Sequence, residues 1–152
     1  MISKKVVIGG TFDLFHKGHE ALLEKAFSLG NVTIGLVSDK MAKITKKRKI
    51  ESFSVRKNKI LRFIKKELKL KTRILKINDK FGPTLKEDFD YIVVSPETYG
   101  TALMINRERE KINKKLIEIV KIDFVLAEDG KPISSTRIFN GEINRQGKLQ
   151  KK

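Results

Sequence analysis

The segment Val7-Ile8-Gly9-Gly10-Thr11-Phe12-Asp13-Leu14-Phe15-His16-Lys17-Gly18-His19 constrains the fold more than any other part of the chain. Its β-branched apolar run reads as a buried parallel strand. The run ends in two glycines, which let a ligand approach the backbone with no Cβ in the way. An amphipathic helix then starts at a His-x-Gly-His. Two imidazoles three residues apart share one face of a first helical turn. Free N–H groups and the helix dipole favour an anion there. A strand, a glycine turn and a helix start carrying two histidines make a site for phosphoryl or nucleotidyl transfer.

The rest of the chain repeats this alternation. Strands are expected at 5–9, 31–37, 72–77 and 91–95, with a fifth inside 117–125. The first helix spans 17–29, with Ala21, Leu22, Ala26, Phe27 and Leu29 inward and Gly30 ending it. Ser54 is placed to cap a helix over 55–69, supported by Ile60, Leu61, Ile64 and Leu68. A basic segment, 43–51, precedes it. A further helix is expected over about 101–114, and a short one near Ser135. Strand–helix alternation implies right-handed crossovers and a doubly wound, Rossmann-like α/β domain with a five-stranded parallel sheet. Ligands bind such sheets beyond the carboxyl ends of the strands, at the switch point. One domain is expected over 1–145, with 146–152 as a frayed basic tail.

Composition removes several function classes. The chain has 152 residues, no cysteine and two histidines, so disulfides, thiolate metal sites and a thiol nucleophile are excluded. Both histidines lie in the motif, which rules out a histidine-based metal cage elsewhere. No apolar run approaches the roughly 20 residues of a membrane helix. The start, Met1-Ile2-Ser3-Lys4-Lys5, faintly imitates a signal peptide, but its apolar run leads into the motif, so a cytoplasmic protein is expected. The net charge of +16 suits nucleic acid or a small polyanion. Lysines occur in nearly every segment and aromatics are not interleaved with them, which argues against a nucleic-acid groove.

Three further segments carry chemistry. In Ile133-Ser134-Ser135-Thr136-Arg137 a serine is placed to cap the last helix. The same hydroxyls and arginine could instead clamp a leaving pyrophosphate. Asn78-Asp79-Lys80-Phe81-Gly82-Pro83-Thr84 and Val94-Ser95-Pro96-Glu97-Thr98 follow strands three and four and read locally as turns. The Gly-Thr-Phe-Asp-x-x-His-x-Gly-His run of residues 10–19 resembles the nucleotidyltransferase superfamily, and Ile133–Arg137 resembles its Ile-Ser-Ser-(Ser/Thr) element. Asp79–Thr84, Val94–Thr98 and Asn106-Arg107 are similar to elements of phosphopantetheine adenylyltransferases of the archaeal and eukaryotic type. The likeness runs from Lys5 to about Asn140. Lys80 departs from it, standing where many members have proline.

The resemblance implies adenylyl transfer from ATP to 4′-phosphopantetheine, giving dephospho-coenzyme A and pyrophosphate in coenzyme A biosynthesis. It implies catalytic roles for Thr11, His16, His19 and a lysine after strand two. Lys40, Lys43 and the cluster at 46–49 compete for that lysine, and spacing favours Lys43. ATP would meet Gly9, Gly10, Thr11, Phe12, His16, Gly18, His19, Glu97, Arg107, Ile133, Ser134, Ser135, Thr136 and Arg137. The acceptor would meet Thr11, Lys43, Asp79, Phe81, Gly82, Pro83 and Thr84. Magnesium is expected as an ion held mainly by ATP, with no protein metal site. A monomer with small-molecule substrates is the expected state. The alternatives are a related nucleotidyltransferase acting on FMN, nicotinamide mononucleotide or glycerol 3-phosphate, and a basic nucleic-acid-binding domain. A class I aminoacyl-tRNA synthetase shares the His-x-Gly-His element, but this chain is too short for its domains. No Gly-x-x-x-x-Gly-Lys-(Ser/Thr) occurs, so the kinase activity fused to eukaryotic relatives is absent from this chain.

Overall fold

The computed structural model describes residues 3–150. Five parallel strands, β1 (Lys5–Gly10), β2 (Asn31–Val37), β3 (Arg73–Ile77), β4 (Tyr91–Val94) and β5 (Glu118–Lys121), form one sheet in the order β3-β2-β1-β4-β5. The helices are α1 (Lys17–Leu29), α2 (Asp39–Thr45), α3 (Phe53–Phe63), α4 (Tyr99–Lys111) and α5 (Ser135–Phe139). The chain steps outward from β1 to β3, then returns to lay β4 on the other side of β1. That reversal opens a crevice beyond the carboxyl ends of β1 and β4.

Alternation along the strands creates the two layers. Val6 and Ile8 of β1 and Val32, Ile34 and Leu36 of β2 pack with Leu22, Leu23 and Ala26 of α1 and with Ile60 of α3. Val7, Ile92 and Val94 face the other way, against Ala102 and Ile105 of α4 and against Phe89 and Ile117. A third cluster, Ala127, Ile133 and Ile143, supports the start of α5. No helix among the described residues is long and apolar enough to cross a membrane.

The expected elements are present with shifted limits. Residues 43–51 were expected to be a basic segment only, but α2 forms at its start because the Ser38 hydroxyl accepts a hydrogen bond from the Met41 amide at 3.1 Å. Ser52, not Ser54, caps α3, so that helix starts two residues early. It also ends early: a π-helical turn, Ile64–Leu68, follows and stops at Lys69, whose φ is 53°. On α3 the expected inward Leu61 is exposed, and Arg56 is fully buried instead. On α1 Leu23 is fully buried, whereas Ala21, Phe27 and Leu29 are only partly so.

α4 starts at Tyr99 and ends at Lys111, ahead of the expected 101–114. The expected frayed tail folds back over residues 146–150. Gly147 accepts from the Glu128 amide at 2.8 Å, the Gln150 amide donates to Glu142 O at 3.0 Å, and Leu149 bridges to Ile143. Met1 and Ile2 of the signal-like start, and Lys151 and Lys152 of the tail, lie outside the described residues.

Candidate active site

A cavity of about 610 Å³ opens at the switch point. Its floor is the end of β1, Gly9 to Thr11. One wall is α1 with both histidines, another the loop after β3, and a third the segment around Ile133 to Thr136.

The loop after β1 is bent by two non-glycine residues with positive φ, Phe12 at 52° and Leu14 at 48°. Each such conformation costs on the order of 1 kcal/mol and persists only where neighbours enforce it. Here they do. Phe12 and Phe15 are buried in the main core. The Asp13 carboxylate, also buried, accepts the Glu51 amide at 2.9 Å and pairs with Arg48 Nη1 at 2.5 Å. The Asp13 carbonyl accepts from the Ser135 hydroxyl, and the Leu14 amide donates to Glu51, which in turn pairs with Lys59. The guanidinium of Arg56 donates to the Thr11 carbonyl at 2.9 Å.

His16 is the N-cap of α1 rather than a residue of its first turn. Its Nδ1 accepts from the Gly18 amide at 3.0 Å, and its own amide donates to His19 Nδ1 at 3.1 Å. The two rings stack with centroids 3.7 Å apart. A Cβ on Gly18 would sit 2.8 Å from His16 Cε1, so this arrangement requires glycine there. Since both Nδ1 atoms accept, each neutral ring carries its proton on Nε2. Burial pushes the His16 pKa down to about 4, and burial together with the His16 charge holds His19 well below the usual value. The site therefore holds two neutral Nε2–H donors at neutral pH. The free N–H groups expected at this helix start are in part already engaged, Lys17 with the Arg145 carbonyl and Gly18 with the His16 ring.

The opposite wall is the turn after β3. Asp79 Oδ1 accepts from the Phe81 and Gly82 amides at 2.9 and 3.0 Å, an Asx turn that shapes the loop. Gly82 has φ of 50°, and a Cβ there would lie 2.9 Å from Ile77 Cγ2. The buried Thr84 donates its hydroxyl to the Phe81 carbonyl at 2.5 Å. Lys80, Phe81, Gly82, Pro83 and Thr84 all line the cavity; Asp79 does not.

Of the residues expected at the site, Gly9, Gly10, Thr11, Phe12, His16, Gly18, His19, Glu97, Ile133, Ser134, Ser135 and Thr136 converge on this one cavity. Lys43, Arg107 and Arg137 do not line it. Lys43 and Arg107 lie exposed on α2 and α4. Arg137 pairs with Asp129 at 2.5 Å and with Glu142 at 3.3 Å, and these carboxylates raise its pKa. Ser134 caps α5 by accepting from the Arg137 amide, the local reading of that serine. Lys46 and Arg48, from the cluster beyond Lys43, line the cavity instead. Arg48 bridges Asp13 to the Thr136 hydroxyl, 3.5 Å from its Nε. Sequence reasoning missed this bridge, because a lysine-rich run gives no sign of which cation turns inward.

The cytidylyltransferase-like family model matches residues 7–141. A phosphopantetheine adenylyltransferase of Methanosarcina barkeri is 52% identical, with 97% of this chain and 93% of that protein aligned. One of Archaeoglobus fulgidus is 48% identical, over 94% of this chain and 97% of that protein. A solved protein of unknown function from Archaeoglobus fulgidus superposes with a TM-score of 0.75 at 41% identity, covering 80% of this chain and 99% of that one. A tyrosyl-tRNA synthetase from the same organism shares the fold alone, with a TM-score of 0.65 at 13% identity. Taken with the strand–glycine–histidine site at the switch point, these likenesses place the chain in the cytidylyltransferase-like family, among the phosphopantetheine adenylyltransferases.

Proposed function

We propose that the protein transfers the adenylyl group of ATP to 4′-phosphopantetheine, releasing pyrophosphate and forming dephospho-coenzyme A. The observation that carries the reading is the stacked histidine pair. Both Nδ1 atoms are fixed by backbone amides, which leaves both Nε2–H groups for phosphate oxygens at the mouth of β1. Relatives named for this activity, about half identical over nearly the whole chain, support the acceptor.

The residues suit an in-line displacement. An acceptor phosphate monoester has a second pKa near about 6 and is largely dianionic at neutral pH, so it needs no general base. An acceptor oxygen attacks the α-phosphorus, the bond from that phosphorus to the bridging oxygen breaks, and pyrophosphate leaves with the electron pair. No protein nucleophile intervenes. The protein supplies positioning and neutralises growing charge. His19 donates to the α-phosphate in the transition state and His16 to its neighbours. Thr11 and the backbone at Gly10 and Phe12 hold the phosphates against β1. Among the lysines after β2, Lys46 rather than Lys43 takes the role of spanning donor and acceptor, a reading supported by its lining the cavity. Polyphosphate near the imidazoles favours their charged form, so binding of ATP draws a proton toward the pair.

Magnesium enters as part of the nucleotide. Such an ion would be held mainly by the ATP phosphates and water, as magnesium usually is at nucleotide sites.

The test is pyrophosphate release from ATP with 4′-phosphopantetheine, FMN, nicotinamide mononucleotide or glycerol 3-phosphate as acceptor, and with CTP as alternative donor. Turnover with ATP and 4′-phosphopantetheine alone is expected. Turnover only with another acceptor would keep the histidine chemistry and discard the acceptor.

A further inference from the structure

Among the described residues Arg56 and Arg109 are fully buried, one bonded to the loop after β1 and the other to the loop after β3, and neither lines the cavity. Their bonding follows one pattern. Arg56 Nε donates to the Glu51 carbonyl at 2.8 Å, Nη1 to the carbonyls of Thr11 and Val37 at 2.9 and 2.8 Å, and Nη2 to Asp39 Oδ1 at 3.1 Å. Arg109 Nε donates to the Lys115 carbonyl at 2.7 Å, Nη1 to the carbonyls of Thr84 and Glu87 at 2.6 and 3.0 Å, and Nη2 to Asp88 Oδ1 at 2.6 Å. In each case one nitrogen serves one carbonyl, a second serves two, and the third reaches a carboxylate that is itself largely exposed.

Stability alone is a poor reason for such a residue. A buried guanidinium is costly to desolvate, and well-packed apolar residues often replace buried ion pairs at no loss. What an apolar residue cannot do is fix three carbonyls, from three segments for Arg56 and from two for Arg109, at set distances around one rigid plane. The planar fork of arginine does that; a lysine ammonium, a point donor on a flexible stem, does not. The carbonyls are also specific in place. Those of Arg56 belong to Thr11 in the loop after β1, to Val37 at the end of β2 and to Glu51, whose side chain holds the Leu14 amide. Those of Arg109 include Thr84 and Glu87, the cavity-lining end and the continuation of the loop after β3.

We propose that Arg56 and Arg109 are positioning residues, one for each substrate: Arg56 sets the loop that takes the ATP phosphates, and Arg109 sets the loop that takes the acceptor. The identity of the two loops' ligands rests on the adenylyl-transfer reading; the fixing of the loops does not. Each arginine acts through backbone carbonyls, and a displacement of about 1 Å in such a loop can change rates by on the order of 100-fold.

The test compares Arg56→Lys with Arg109→Lys, and in parallel the milder Asp39→Asn with Asp88→Asn, which keep the guanidinium and remove its carboxylate partner. Michaelis constants for ATP and for 4′-phosphopantetheine are measured together with amide hydrogen exchange. Arg109→Lys is expected to raise the acceptor KM about 10-fold or more, with the ATP KM held within about twofold. Exchange should quicken at residues 84–88 and stay unchanged at 11–14. Arg56→Lys should give the mirror image, and the aspartate variants the same split at smaller size. Equal changes in both constants, or exchange that quickens evenly through the protein, would make these ordinary core residues and overturn the proposal. If the lysine variants do not fold, the same split in the asparagine pair supports it, and an even effect sinks it. If the wild-type protein ignores 4′-phosphopantetheine, the acceptor assignment falls, and the local or uniform exchange pattern still decides whether each arginine holds its own loop.

Discussion

The loops on the two sides of the cavity are held in different ways. The loop after β1 carries two residues with positive φ that are not glycine, and it is tied down from every direction. Asp13 is buried against Arg48 and the Glu51 amide, Ser135 holds its carbonyl, Glu51 holds Leu14, and two phenylalanines anchor it in the core. The loop after β3 adopts its positive φ at a glycine, where it is cheap; its tip is shaped by its own Asx turn and the Thr84 hydroxyl, and Arg109 holds its far end through the Thr84 and Glu87 carbonyls. Strain that is held by many partners is pre-organised; strain that is avoided needs few. The two loops therefore differ in how they are held: the β1 side enforces strain with surrounding side chains, and the β3 side avoids it with a glycine.

The largest effect on this contrast comes from the nucleotide side. His19→Ala should lower turnover by at least ~100-fold, as loss of one oxyanion-type donor does, and cost about 1 kcal/mol of stability because the His16 amide loses its acceptor. Retention of most activity in a steady-state assay would remove His19 from the reaction. Next, Asp13→Asn strips the buried partner from Arg48 and should cost about 2–3 kcal/mol in denaturant unfolding, somewhat less than a wholly enclosed pair because Arg48 keeps some contact with solvent. It should also weaken ATP more than the acceptor; a stability loss with both substrates affected alike would dissolve the contrast.

Acidification should act on the same half. His16 is held at about 4 in the folded chain against about 6.5 unfolded, so between these values the unfolded state binds the extra proton. Stability is then full above pH 6.5 and falls as the pH drops toward 4. Between pH 7 and 5 the wild type should lose about 2 kcal/mol that His16→Gln retains, measured by urea unfolding at each pH. A parallel loss in both proteins would assign the acid sensitivity elsewhere.

The smallest effect belongs to the loop after β3. Gly82→Ala forces a side chain into φ of 50° and toward Ile77. It should raise the acceptor KM by about 10-fold and leave the ATP KM within about twofold, because strain of about 1–2 kcal/mol falls on one loop. An equal rise for ATP would mean that the two walls move together.

Much of this was legible before any coordinates. The β-branched runs and their spacing predict five strands, because each run is too short for a helix and is bounded by turn residues. The His-x-Gly-His after a glycine-ended strand predicts the position of the site. The lysine-rich stretch did not yield. Lys43 and Lys46 are the same residue type three positions apart, and which one lines the cavity depends on the limits of α2. Neither end of α2, from its Ser38 cap to Thr45, is marked by the pattern of this lysine-rich run. Arg56 and Arg109 did leave a signal: they continue the apolar stripes of their helices, Arg56 four residues before Ile60 and Arg109 four after Ile105. An arginine on an apolar stripe invites the question of which carbonyls it serves.

The sequence by itself determined the strand–helix alternation, the parallel sheet and the end of β1 as the place of chemistry. These follow from local periodicity and from backbone rules that act over a few residues. Only the tertiary structure decided that Asp13 locks Arg48, that His16 caps the helix and fixes the tautomer of its neighbour, and that of two exposed lysines Lys46 lines the cavity and Lys43 does not. Each of those is a pairing in which directions and distances of a few ångströms choose between chemically equivalent groups. A linear string of residue types carries no such distances.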